Sequence, residues 1–152
     1  MNFNQWIRIE VPNQKLCVLT EDGVFWQTEV STSVLGLGEV EGSYKTPRGM
    51  HRIAEKIGQG APLFSVFKSR QLTGEIFTTP SEDDLILTRI LWLDGVESGN
   101  LNTYSRYIYI HGTNHEDKIG TPSSKGCVRM RNVDVAKLFD LVEVGTPVEI
   151  VG

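Results

Sequence analysis

Two short segments carry the side chains best suited to chemistry, residues 110–113 (Ile-His-Gly-Thr) and residues 124–130 (Ser-Lys-Gly-Cys-Val-Arg-Met). A cysteine attacks as its thiolate, so it needs a base to form that thiolate and hydrogen-bond donors for the oxyanion that follows. His111 is a candidate base, and a glycine before Cys127 permits a sharp turn that would free the Gly126 and Cys127 amides for a substrate carbonyl. Each such donor typically contributes about 2.7–4 kcal/mol of transition-state stabilisation.

Arg129 offers a planar guanidinium that suits bidentate binding of a carboxylate. Other uses of these residues compete with nucleophilic catalysis. His111 and His115 are four apart, a metal-ligand spacing on a helix, but Gly112 and the preceding strand-like run disfavour a helix, and no further ligand cluster is present. We therefore predict no metal. Cys17, in the apolar run Leu16-Cys17-Val18-Leu19, is predicted to be a buried packing thiol.

The elements that must position these residues are mainly strands. Residues 15–19 and 24–30 flank Glu21-Asp22-Gly23, which predicts a hairpin. Residues 31–49 are rich in Gly, Ser and Thr and predict a loop, and residues 56–83 predict a long surface excursion with short strands. Two further strands are predicted over residues 85–93 and 106–110, the second leading directly into His111.

One helix is convincing. Asn132 is predicted to be its N-cap, with Asp134 in the first turn, and the apolar residues Val135, Leu138, Phe139 and Val142 recur at helical spacing. Gly145-Thr146-Pro147 ends it before a terminal strand. The predicted fold is thus a mostly-β domain over residues 1–152, a β-sandwich or barrel with one packed helix near the C-terminus.

Composition narrows the function classes. The chain has 152 residues, 39% of them hydrophobic, and a net charge of −4 without a stripe of Lys and Arg, which disfavours nucleic acid as a partner. No run approaches the roughly 18–20 apolar residues of a membrane span. The first eleven residues lack the features of a signal peptide. We therefore expect a cytoplasmic protein if Met1 is the natural start, and a periplasmic one if a leader has been removed.

The two reactive segments resemble the signature of the L,D-transpeptidase (YkuD-like) family, H-G-T followed by S-H-G-C-(I/V)-R-(M/L). The resemblance continues, in the family's order, over nearly the whole chain. The further matching segments are Gln14-Lys15-Leu16, Val30-Ser31-Thr32, Lys45-Thr46-Pro47-Arg48-Gly49 and Gly145-Thr146-Pro147-Val148.

The resemblance implies a cysteine acyl-transfer enzyme that acts on peptidoglycan stem peptides without a metal or organic cofactor. Cys127 would attack the bond between diaminopimelate and the terminal D-Ala, and His111 would serve as base, oriented by the carbonyl of Gly112. The implied oxyanion- and substrate-binding residues are Gly126, Ser124, Arg129, Lys125 and Thr113, with Arg129 either organising the motif or binding a substrate carboxylate. Acylation of Cys127 by β-lactams of the carbapenem type is a further expectation.

Lys125 departs from the family pattern, which has histidine at this position. A lysine can favour an anionic substrate but cannot relay protons near neutral pH as histidine can. Three functions follow from the resemblance. The first is an L,D-carboxypeptidase that removes terminal D-Ala from tetrapeptides during murein recycling. The second is an exported L,D-transpeptidase that forms cross-links or anchors a protein to peptidoglycan, and the third is a stem-peptide binding module that no longer turns over.

Overall fold

The computed structural model describes residues 4–152 as ten strands, one α-helix and a short 3-10 helix. The mostly-β fold with one packed helix is as predicted from the sequence. The elements are β1 Gln5–Glu10, β2 Lys15–Thr20, β3 Gly23–Glu29, β4 Gly49–Ile57, β5 Ser65–Lys68, β6 Gln71–Ile76, β7 Ile86–Gly95, β8 Tyr109–Gly112, the 3-10 helix Glu116–Lys118, β9 Val128–Met130, α1 Asn132–Leu141 and β10 Pro147–Val151.

All strands belong to one hydrogen-bonded sheet with the order β3-β2-β1-β10-β4-β7-β5-β6, and β8 and β9 branch from β7. The pair β1–β10 is parallel and lies near the middle of this order, while β8–β9 is the second parallel pair. β7 is the structural hub because β4, β5 and β8 all pair with it. The branch places the two reactive segments side by side, since β8 holds the histidine and β9 follows the cysteine directly.

The two faces of the branch pack into different apolar clusters. Because side chains alternate along a strand, Ile110, Val128 and Met130 point to one face and join the main core with α1. Tyr109 points to the opposite face and joins a smaller cluster with Trp92, against which Cys127 packs. The β5–β6 hairpin contributes to this second cluster. The chemistry-bearing face is therefore separated from the main core by the strands themselves.

The helix begins one residue earlier than predicted. Asn132 is its first residue, and Arg131 occupies the N-cap without a side-chain cap. The carboxylate of Glu116 accepts hydrogen bonds from the Asn132 backbone amide at 2.7 Å and from Asn132 Nδ2 at 2.8 Å. The Asn132 side chain therefore does not cap the helix, and it forms the hydrogen bonds within the site that are described below.

The strand predicted over residues 106–110 begins only at Tyr109. The preceding residues form turns, and Tyr107 has a φ of 59°, a left-handed conformation that interrupts regular strand pairing. By contrast, the predicted hairpin is confirmed as β2–β3. The excursion over residues 56–83 contains the predicted short strands β5 and β6, and all six residues of β6 are exposed.

Within residues 4–152, no helix is long and apolar enough to cross a membrane. The extent of the catalytic domain, residues 1–152, stays a prediction, and residues 1–3 lie outside the described part of the chain.

Candidate active site

Cys127 and His111 lie on the same face of the β8–β9 pair. In the parallel register His111 is opposite Arg129, so the cysteine two residues before Arg129 projects to the same side. His111 is only 3% exposed, whereas Cys127 is partly exposed. The fold thus brings together the two residues that the sequence assigned as nucleophile and base.

The imidazole of His111 is fixed by its own neighbour. Nδ1 donates a hydrogen bond of 2.6 Å to the carbonyl oxygen of Gly112, which leaves Nε2 without a proton and able to accept one. Burial lowers the pKa of His111, an effect that the Gly112 carbonyl and Asp84 partly oppose. At neutral pH the ring is therefore neutral, the form that a general base requires.

The Cys127 thiol rests on backbone groups of the segment before β8. Sγ lies 3.4 Å from the carbonyl oxygen of Tyr107, to which it donates, and it accepts from the Tyr109 amide at 3.3 Å. In the described part of the chain, no hydrogen bond joins a ring nitrogen of His111 to Sγ. Burial raises the pKa of Cys127 to about 11, partly offset by the Tyr109 amide; Asp84 raises it further, and Arg129 and Arg106 lower it. The resting pair is a neutral thiol beside a neutral imidazole.

The Gly126 amide is not free for an oxyanion, contrary to the sequence-based expectation. It donates a 3.2 Å hydrogen bond to Ser124 Oγ, whose hydroxyl in turn donates to the Cys127 carbonyl at 2.6 Å. Gly126 adopts a φ of 128°, and its carbonyl accepts from Thr46 Oγ1. Ser124 thus closes a tight loop around the cysteine, and within residues 4–152 the backbone amides of Cys127 and Lys125 have no hydrogen-bond partner.

Arg129 organises the motif, the first of its two predicted roles. Its side chain is almost fully buried and pairs with Asp84 at 2.7 Å, while Nη1 also donates to Ser123. A guanidinium that is buried and paired in this way exposes almost no surface to a substrate carboxylate, which favours the first role, and binding of a carboxylate stays a prediction. The ion pair ties the segment before β7 to β9 itself.

Lys125 is exposed and lines a cavity of about 260 Å³ together with Glu41, Arg106 and Tyr107. Cys127 does not line this cavity, but its thiol contacts the backbone carbonyl of Tyr107, a residue that does. Thr113 is fully buried, and it acts through its backbone carbonyl, which accepts from Asn132 Nδ2 at 2.8 Å. Lys125 is therefore placed to meet a ligand, and Thr113 is not.

The remaining histidines and Cys17 lie outside the site. His51 is buried between the Gly49 carbonyl and Thr103. His115 is half-buried, and its Nε2 lies 3.1 Å from the Ser81 carbonyl oxygen. Cys17 is buried, as predicted. No group of three or more His, Cys, Asp or Glu side chains in the described part of the chain could hold a metal ion.

Asn132 is a site residue that the sequence signal misassigned. Its side chain donates to the Thr113 carbonyl and accepts from Thr88 Oγ1 at 2.6 Å, which ties the start of α1 to the end of β8. A Cβ on Gly112 would overlap the Asn132 amide and would lie 2.7 Å from the Leu87 carbonyl oxygen. The close approach of Asn132 and Leu87 thus requires glycine after His111.

Sequence reasoning also missed Arg70. It lies on the β5–β6 turn, far from either motif, and its guanidinium covers the aromatic residues next to Cys127. No local signal in the sequence identifies it, because its contacts come from residues 22 to 39 positions further along the chain.

A mostly-β domain with a glycine-preceded cysteine and a neutral, buried histidine on one sheet face defines a cysteine acyl-transfer enzyme. Residues 4–150 match the sequence model of the L,D-transpeptidase catalytic domain (YkuD). The chain belongs to this family.

Two curated relatives illustrate the match. The chain is 40% identical over 79 residues to the putative L,D-transpeptidase YkuD of Bacillus subtilis, covering 51% of this chain and 48% of that protein. It is 52% identical over 46 residues to the probable L,D-transpeptidase ErfK/SrfK of Salmonella typhimurium, covering 30% of this chain and 15% of that protein. The chain thus spans at most about half the length of these relatives.

Solved structures share the fold. An L,D-transpeptidase from Mycobacterium smegmatis superposes with a TM-score of 0.59 at 18% identity, covering 98% of this chain and 59% of that one. A complex of the L,D-transpeptidase LdtMt1 with imipenem gives a TM-score of 0.59 at 21% identity, covering 97% and 59%. At these identities the likeness concerns the fold alone.

Proposed function

We propose that the chain is an L,D-carboxypeptidase that removes the terminal D-Ala from peptidoglycan tetrapeptides. The observation that carries the proposal is the placement of Cys127 and His111 on one sheet face, with Nδ1 of the histidine fixed by the Gly112 carbonyl. Membership of the L,D-transpeptidase family supports the stem peptide as the substrate.

The reaction begins with proton transfer from the thiol to Nε2 of His111. A turn of the Cys127 side chain away from the Tyr107 carbonyl brings Sγ towards the histidine. Sγ then attacks the diaminopimelate carbonyl carbon, and the Cys127 amide donates to the oxyanion. The C–N bond breaks, His111 protonates the leaving D-Ala amine, and a thioester remains. Water, deprotonated by His111, hydrolyses the thioester and restores the thiol.

Charge near the thiol supports water as the acceptor. Arg106 and Lys125 both line the adjacent cavity, and Arg106 lowers the pKa of Cys127, although the opposite effect of Asp84, which is paired with Arg129, is larger. An acceptor amine is protonated at neutral pH, so these cations oppose its approach, whereas water carries no charge. The same cations attract a donor peptide that carries carboxylates.

The second candidate is an L,D-transpeptidase that passes the acyl group to an amine. The curated relatives carry that name, and the cavity of about 260 Å³ that Lys125 lines also contains Glu41, a carboxylate suited to a cationic acceptor. The predicted location in the cytoplasm, where free muropeptides would be the substrate, stays a prediction that cell fractionation can check.

Mass spectrometry of the products separates these functions. Wild-type protein, Cys127→Ala and the matched control Cys17→Ala are incubated with diaminopimelate-containing tetrapeptide and with disaccharide tetrapeptide. We expect tripeptide and free D-Ala from wild type and Cys17→Ala and neither from Cys127→Ala. Cross-linked dimers without tripeptide would establish the transpeptidase instead, and the absence of any product would favour the binding module.

Acylation by β-lactams is tested on the same three proteins. Two solved relatives are a complex with imipenem and a carbamoyl enzyme formed with avibactam. We expect imipenem to add its mass to wild type and Cys17→Ala but not to Cys127→Ala, because the thiol that attacks the peptide carbonyl also attacks the lactam carbonyl.

A further inference from the structure

Arg70 lies over the aromatic residues that hold the Cys127 thiol. Its guanidinium carbon is 5.2 Å from the centre of the Trp92 ring and 5.0 Å from that of Tyr107, and Nη1 donates to the Tyr109 hydroxyl at 3.2 Å. Tyr107 and Tyr109 are the same two residues whose backbone groups contact Sγ. Arg70 therefore contacts the two residues that contact the nucleophile.

Most N–H donors of the Arg70 guanidinium have no acceptor among the described residues. Among residues 4–152, no carboxylate forms an ion pair with Arg70, whereas Arg8, Arg48, Arg52, Arg129 and Arg131 all have one. Arg89 and Arg106 also form no ion pair, but each donates two hydrogen bonds to backbone carbonyls. Its single hydrogen bond to a phenol leaves most of its five N–H groups unused. A guanidinium stacked on aromatic rings is pre-organised, so it loses little entropy when it binds a planar anion.

The turn that carries Arg70 is held in a costly conformation. Ser69 and Arg70 join β5 to β6 with φ values of 49° and 64°, a two-residue turn that normally uses Asn and Gly. A left-handed conformation costs roughly 1–2 kcal/mol for each such residue. Backbone strain of this kind concentrates at functional sites, and this turn places the Arg70 guanidinium over Trp92, in the cluster against which Cys127 packs.

We propose that Arg70 binds the terminal carboxylate of the donor peptide, on the residue that leaves when Cys127 attacks. This carboxylate lies one residue beyond the attacked carbonyl, within about 3.8 Å of backbone. Tyr109 connects the two positions, since its amide contacts Sγ and its hydroxyl contacts Arg70. The inference rests on the proposed function for the identity of the anion, but not for the anion site itself.

A first experiment tests the anion site without any peptide. Cys127 is alkylated with iodoacetate, which is anionic, and with iodoacetamide, which is neutral, in a Cys17→Ala background. The quantity compared is the iodoacetate rate constant divided by the iodoacetamide rate constant. This ratio does not depend on the pKa of the thiol, because both reagents react with the same thiolate. We expect this ratio to fall about three- to tenfold in Arg70→Gln, to fall less in Arg70→Lys, and to stay unchanged in Lys68→Gln on the same hairpin. An equal ratio in all four proteins would overturn the anion site.

A second experiment identifies the anion. The kcat/KM for the tetrapeptide and for its C-terminal amide is measured with wild type, Arg70→Gln and Lys68→Gln. We expect Arg70→Gln to lower kcat/KM for the acid about 10- to 100-fold, mainly through KM, and to leave the amide unaffected. If Arg70 only held the hairpin in place, both substrates would lose activity equally, and that result would contradict the proposal.

Together, the two experiments distinguish a failure of the proposed carboxypeptidase function from a failure of the proposed Arg70 site. If wild type hydrolyses neither peptide but the alkylation ratio falls in Arg70→Gln, the proposed carboxypeptidase is wrong and the anion site stands. If wild type hydrolyses both peptides with no preference for the acid and Arg70→Gln changes neither, the carboxypeptidase stands and the role of Arg70 is wrong.

Discussion

At the scale of single residues, the protonation states of Cys127 and His111 set the chemistry. With a pKa of about 11, Cys127 is ionised in about one molecule in ten thousand at pH 7. The small amount of thiolate present in the resting enzyme therefore cannot account for the attack on the substrate carbonyl carbon. The neutral His111 must remove the proton as Sγ turns towards it, so catalysis depends on the base more strongly than in a site with a preformed thiolate.

The pH dependence of alkylation tests this state. In Cys17→Ala, the iodoacetamide rate at Cys127 is expected to increase about tenfold per pH unit up to at least pH 9, because burial raises the pKa of the thiol. The measurement is loss of free thiol between pH 6 and 10, with a short unstructured cysteine peptide as reference. A plateau below pH 8 would show that the thiol is instead activated in the free enzyme.

Gly112 gives a second prediction at this scale. Gly112→Ala is expected to destabilise the fold by about 1–3 kcal/mol, because the added Cβ meets the Leu87 carbonyl and the Asn132 amide. It should also displace the carbonyl that orients His111 and so lower kcat. Gly99→Ala is the matched control, since a Cβ there meets nothing within 4 Å. Urea denaturation and the tripeptide assay measure both effects, and equal stability of the two variants would contradict the packing argument.

At the scale of elements, the hydrogen bonds between the end of β8 and the start of α1 support the site. Asn132 links Thr113, Thr88 and Glu116 in a buried set of hydrogen bonds. This set fixes the stretch of chain that follows His111. Glu116, at the start of the 3-10 helix, accepts from the first backbone amide of α1, one of the four amides that have no acceptor within the helix.

Asn132→Ala is expected to reduce the free energy of unfolding by about 1–3 kcal/mol, because it leaves the Thr113 carbonyl and Thr88 hydroxyl buried without this partner. Val133→Ala, one residue further along and exposed, is the control. We expect kcat to fall in the first variant alone, with little change in KM. Retention of full stability in Asn132→Ala would show that water replaces the amide.

The elements that have local sequence signals were predicted from the sequence. The predictions failed where contacts with residues distant in the chain determine the conformation. The Asp-Gly hairpin, the helix periodicity and the Cys127 motif are local, and each is found where expected. The strand before His111 starts late because Tyr107 adopts a positive φ. The Gly126 amide is lost as a donor because Ser124 Oγ reaches it, and Arg129 is buried by an ion pair with a residue 45 positions away in the chain.

At the scale of the whole molecule, two buried histidines tie stability to pH. Burial lowers the pKa of both His51 and His111 in the folded state, so the unfolded chain binds more protons once the pH falls below about 6.5. The stability that the neutral forms provide is full above that pH and is lost as the pH decreases below it. Each histidine contributes a slope of at most about 1.4 kcal/mol per pH unit.

Urea titrations at pH 7.5, 6.5, 5.5 and 5.0 check this dependence. We expect the free energy of unfolding to decrease below pH 6.5 in wild type, and to decrease less steeply in His51→Asn. The double variant with His111→Asn is expected to be flatter still. A wild-type stability that is constant from pH 7.5 to 5.0 would contradict the burial of neutral imidazoles.

The parallel pairing of β1 with β10 has a consequence for biosynthesis. The partners Ile7 and Val148 are about 140 residues apart, which a ribosome adding 5–20 residues per second translates in roughly 7–28 s. Throughout that time β1 can pair with β2 only, and the edge later taken by β10 is open to other strands. Nascent chains stalled before residue 147 are thus expected to remain protease-sensitive and to recruit chaperones, and release of the last strand completes the middle of the sheet.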